Sequence, residues 1–139
     1  MELLGTINWL QVFAGAVIYM VVGSIWYGPV AGKAWMAEMG LTEEQIKEQG
    51  PPTAALLKSF VAALFLSAGL AWILAMPSFA GTGWQGGMMT GFILSVLIIG
   101  GGSFPNYAFE SKSLRHFLIH MGNVTLAMML IGAMMGAWG

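Results

Sequence analysis

His116 and His120 stand one helical turn apart, and imidazole nitrogens at i and i+4 converge on one side of a helix, where they can share a metal ion. Two ligands do not make a site. A third would have to come from Glu110 or from a carboxylate further upstream such as Glu38. Neither spacing is diagnostic, and the competing reading is two polar side chains that make interhelical or interfacial hydrogen bonds. Haem fits worse still, because axial ligands approach opposite faces of the ring and residues one turn apart on one helix cannot. The sequence therefore predicts no bound metal and no cofactor.

Glu110 follows Asn106 by one turn, just after the run Gly100-Gly101-Gly102-Ser103-Phe104-Pro105. Three glycines and a proline forecast a break, a kink or an unwound segment, and an ionisable group beside a broken helix can mark a substrate or proton path. Lys112 and Arg115 lie close by, so the alternative is a cap in which Glu110 pairs with one of them or with Lys33. Asn123 continues the His116–His120 face at i+7. Asn106, Glu110, His116, His120 and Asn123 thus form the candidate polar or ion site. Catalytic residues are not assigned. No serine or threonine stands in a nucleophile motif, the glycines match neither a phosphate loop nor a dinucleotide fingerprint, and there is no cysteine. The methionines come as adjacent pairs such as Met128-Met129, which point apart on a helix and favour packing over copper binding.

The elements that must carry these groups are apolar. At 58% hydrophobic and 8% charged residues, with a mean hydropathy of +0.77, the chain has too little polar surface to cover a soluble globule. The near-neutral charge offers no basic stripe for nucleic acid. Four stretches approach the roughly 20 residues needed to cross a bilayer: about 7–27, 55–76, 84–101 and 114–138. The expectation is an all-α, integral membrane four-helix bundle forming one domain over residues 1–139, with the lipid bilayer as its solvent. Glu2 precedes the first apolar run and no Lys or Arg does, which predicts a retained span and not a cleaved signal peptide.

Trp9 and Trp26-Tyr27 mark the ends of the first span, and Gly28-Pro29 is expected to stop it. Residues 31–52 read as a short amphipathic surface segment around Trp35, Met36 and Met39, followed by a helix capped by Thr42 and Gln45. Pro77 closes span two, and the short loop after it predicts contact between spans two and three. Lys33, Lys47, Lys58, Lys112 and Arg115 all fall in or beside two of the gaps between spans. Basic loops are retained in the cytoplasm, so both termini are expected outside. Gly87 and Gly91, and Gly132 and Gly136, form two helix-packing pairs. They exceed what four helices need internally, which predicts a homo-oligomer or docking to a larger membrane complex.

Asn8-Trp9, Trp26-Tyr27-x-Pro29, Gly32-Lys33-x-Trp35 followed by Gly40-Leu41-Thr42, then Asn106-Tyr107-x-Phe109-Glu110 ahead of Phe117-x-Ile119 occur in this order over nearly the whole chain. Together they resemble the domain of unknown function 1761 family of small bacterial membrane proteins. The resemblance implies a four-span layout in a bacterial inner membrane and brings no reaction, substrate or cofactor. His116 and His120 are not part of that pattern. The expected role is a non-enzymatic accessory or assembly component; the alternative is a small oligomeric transporter or channel that uses the Gly100–Pro105 break and Glu110.

Overall fold

The computed structural model describes residue 5 and residues 7–138. Helices dominate, and there is no strand among the described residues. Four helices are long and apolar enough to cross a membrane: α1 (Trp9–Val30), α4 (Thr53–Leu74), α5 (Gly83–Phe109) and α6 (Leu114–Trp138). Two short helices, α2 (Gly32–Met39) and α3 (Glu43–Glu48), lie between the first two. Large apolar side chains cover the outside, with Phe65, Leu57 and Ile98 at 76%, 64% and 66% exposure. Such a surface is compatible with lipid and not with water.

Local chemistry explains the ends. Asn8 caps α1 by accepting a hydrogen bond from the Leu10 amide at 3.0 Å. Thr42 and Gln45 form the expected reciprocal capping box on α3. The polar segment turns at Gly40 and Gly50, whose φ angles of 69° and 75° are left-handed. Ser113 caps α6, its hydroxyl accepting from the His116 amide at 3.0 Å.

Pro77 follows the end of α4, and α1 ends at Val30, one residue past Pro29, both as expected. Pro29 sits inside a π-helical turn, Trp26–Val30, in which the Ala31 amide reaches back to the Trp26 carbonyl. Widening the ladder by one residue lets the chain pass a residue that has no amide to give. The forecast break at Gly100–Pro105, by contrast, is absent: α5 runs unbroken from Gly83 to Phe109, with Pro105 inside it. Its irregularity lies one turn earlier, in a π-helical stretch at Leu94–Ile99, where the Gly100 amide bonds the Ser95 carbonyl.

The helices alternate in direction, so the segments bearing all five Lys and Arg share one end, the basic end. α6 is the most buried of the four. It packs on α1 along one face and most closely on α5 along another, while α4 packs mainly on α1. The core is built from Val12, Leu70, Ala71, Ile131 and Met135. Gly15, Ser67 and Ile131 meet where α1, α4 and α6 converge, and a Cβ at Gly15 would run into the Ser67 hydroxyl. Contrary to expectation, spans two and three do not pack closely despite their short loop. An apolar cleft lined by Phe65, Gly69, Ile73, Leu94 and Ile98 separates α4 from α5.

The glycine pairs face each other. A Cβ on Gly87 would collide with the Gly132 carbonyl, one on Gly91 with Met128, and one on Gly136 with Gly83. The expected surplus of packing glycines was miscounted, because each stripe is the other's partner within one chain. Small residues let these two backbones approach as lipid-embedded helices need to.

Candidate functional site

At the basic end, α1, α5 and α6 bring their aromatic and imidazole side chains together. Helical spacing on α6 puts His116 and His120 on the face that meets Tyr107 of α5. Tyr107 stacks on His120, with ring centroids 6.2 Å apart and planes at 26°, and meets His116 edge-on at 5.4 Å. It also meets Phe117 edge-on at 5.3 Å, and Phe104 reaches the same ring at 5.1 Å. These offset and edge-on geometries are the favourable ones for aromatic quadrupoles. From α1, the Tyr27 hydroxyl lies 3.3 Å from His120 Nδ1, its role as donor or acceptor depending on the tautomer.

Trp26 ties α1 to α6 more firmly. Its indole N–H donates to the Ile119 carbonyl at 2.8 Å, and its ring fills the space that a Cβ on Gly122 would need. α2 is latched to the same end: the Ser113 hydroxyl donates to Glu38 Oε2 at 2.8 Å, and Arg115 Nε lies 3.9 Å from Oε1. Trp35 of α2 meets Tyr27 edge-on at 5.8 Å. One side chain, Ser113, therefore caps α6 and holds the α2 carboxylate together.

The five candidate site residues separate into three groups. Only His116 and His120 share one set of neighbours. Asn106 and Glu110 are exposed at the end of α5, where Glu110 pairs with Lys112 at 3.0 Å. At about 1.5 Å per residue, α5 is roughly 40 Å long, more than a hydrocarbon core of about 30 Å requires. Asn123 is buried, at 3% exposure, a turn deeper than His120. Its Oδ1 has no protein partner and lies 4.0 Å from where a Cβ would stand on Gly23 of α1.

Neither proposed third metal ligand joins the imidazoles. Glu38 is bound to Ser113 and Arg115, Glu110 to Lys112, and no three His, Cys, Asp or Glu converge among the described residues. The adjacent methionines diverge, Met128 being buried while Met129 is only half-buried. Past Asn123 the inward face of α6 is Ala127, Ile131 and Met135, all buried and apolar. The polar column His116–His120–Asn123 thus ends about 13 Å into the span at 1.5 Å per residue.

By sequence, Trp26 and Tyr27 mark the end of a span, Tyr107 belongs to the resemblance motif, and Ser113 has no role. The signals are a serine three residues before His116, the N-cap spacing, and Gly122, the one glycine in the first half of α6.

A family model described as protein of unknown function (DUF1761) matches residues 10–136. No curated protein and no solved structure matches the chain.

Proposed function

The chain belongs to this family of proteins of unknown function, and we propose that it serves as a non-enzymatic membrane component, an accessory or assembly subunit that docks to a larger complex or to its own copies. The reading puts the basic end in the cytoplasm of a bacterial inner membrane, with both termini outside, on the retention of Lys- and Arg-rich loops. The observation that carries it is how the polar groups are used. Trp26, Tyr27, Glu38, Ser113 and Arg115 are engaged in joining α1, α2 and α6, and the polar column of α6 stops at Asn123, with Ala127, Ile131 and Met135 beyond it and Ser67 and Ser95 as separate buried hydroxyls on α4 and α5. Such a scaffold holds a shape and leaves its apolar clefts, between α4 and α5 above all, for other membrane helices.

Co-purification from its native membrane in mild detergent, followed by mass spectrometry, tests this role. A reproducible stoichiometric partner or a homo-oligomer supports docking, and a chain that always travels alone as a monomer defeats it. A tag at either terminus should react with membrane-impermeant reagents in intact spheroplasts.

One observation favours a transport reading: Asn123 Oδ1 is buried without a partner at the bottom of a column that opens at the basic end. Proton or cation flux in proteoliposomes that is lost on Glu110→Gln or Asn123→Leu would replace the accessory role with that one.

A further inference from the structure

The two helices that touch backbone to backbone at Gly87 and Gly132 spread apart toward the basic end. At Gly100 a Cβ would meet α6 at the tips of Met121 and Phe117 and not at its backbone, and further on the helices are wedged by Phe104 and Tyr107 against Phe117. Between them, on the outer surface, lies an apolar groove of about 430 Å³ lined by Val96, Gly100, Phe104, Phe117, Leu118 and Thr125. We propose that this groove binds one acyl chain of an anionic phospholipid, with the lipid phosphate at Arg115.

Shape and chemistry suit a hydrocarbon chain. The lining runs from Val96 to Phe104 on one helix and from Phe117 to Thr125 on the other, about 12 Å at 1.5 Å per residue, and Thr125 is its one side chain with a polar atom.

Charge decides the headgroup. Arg115 stands three, seven and ten residues before Leu118, Gly122 and Thr125, on the stripe of α6 that forms the groove wall. It therefore sits at the mouth, at headgroup depth, with its side chain 64% exposed. Glu38 Oε1 lies 3.9 Å from Nε, beyond hydrogen-bond range, so the guanidinium N–H groups can meet a phosphate. Trp26, whose ring covers Gly122, supplies the interfacial indole beside the same mouth. This site is independent of the accessory role and would exist in a monomer.

Native mass spectrometry of the full chain in mild detergent, with phosphatidylglycerol and phosphatidylcholine of equal tails, tests it. One phosphatidylglycerol should be retained about fivefold more strongly than phosphatidylcholine, the factor for about 1 kcal/mol per cation at the surface. Arg115→Gln should abolish that preference, and Glu38→Gln, which releases Arg115, should raise it. Val96→Phe with Thr125→Leu fills the groove and should expel both lipids, whereas Val61→Phe, in the separate apolar groove that Trp9, Phe13, Val61 and Phe65 line between α1 and α4, should expel neither. Equal retention of the two lipids with Arg115→Gln silent overturns the site, as does a lipid that survives the filled groove. A lipid-free dimer broken by the filled groove would make the groove a protein interface and also overturn it. Should the filled variant fail to fold, the opposed effects of Arg115→Gln and Glu38→Gln still decide.

Discussion

The two halves of the α5–α6 pair solve one problem in opposite ways. In the half away from the basic end, side chains are removed: Gly83, Gly87 and Gly91 face Gly136, Gly132 and Met128, and backbone lies against backbone. In the basic half, side chains are inserted: Phe104 and Tyr107 meet Phe117, His116 and His120 ring to ring. The π-helical stretch Leu94–Ile99 lies where one regime passes into the other. In lipid no hydrophobic gain favours helix contact, so close packing must come from shape or from polar and aromatic pairing, and this pair uses each where the other is unavailable. Rings with N–H and O–H groups suit the interfacial end. Bare backbones suit the dry one.

The contrast makes the glycine half the more sensitive. Gly132→Leu would drive four heavy atoms into the Gly87 carbonyl, and we expect a loss of about 3 kcal/mol or more, measured by denaturant unfolding in detergent micelles. Oligomer size on a sizing column should not change for a folded Gly91→Ala variant, because the stripe faces inward. A variant that dissociates without destabilisation would return the stripe to an intermolecular interface.

Substitutions in the aromatic half should cost less, each touching one contact among several. Trp26→Phe keeps a ring over Gly122 but leaves the Ile119 carbonyl without its side-chain donor, an expected loss of about 1 kcal/mol. Ser113→Ala removes the α6 cap and the Glu38 bond together and should cost about the same. Both are read by the same unfolding assay, supported by faster hydrogen exchange in the first turn of α6 for Ser113→Ala. Tyr27→Phe, which removes the hydroxyl facing His120, is expected at about 0.6 kcal/mol, the usual worth of an interhelical hydrogen bond in a membrane protein. If Tyr27→Phe cost as much as Gly132→Leu, the two halves would not differ in the way described.

Much of this architecture was legible from local pattern. The four apolar runs became four helices, with span four ending where hydropathy placed it, from Leu114 to Trp138. The Thr42–Gln45 box needed only its own spacing. Proline marks the ends of α1 and α4, at Pro29 and Pro77, but not an end at Pro105, because a single-residue rule assumes an α-helical ladder and the chain widens to a π turn nearby. The polar face of α6 was visible as a period, yet its membership was not: Asn106 and Glu110 looked near the histidines in sequence, but they are exposed at the end of α5 while the histidines pack on Tyr107.

Composition and periodicity alone determined the helical class, the four spans and the gathering of cations into two segments, since these depend on each residue's preference for lipid or water. Only the tertiary structure decided that the glycine stripes spend themselves on one another, that Trp26 belongs in the notch at Gly122, and that α4 and α5 stay apart. Those outcomes depend on which helix faces which, and an apolar surface in an apolar solvent carries no hydropathy signal to say so.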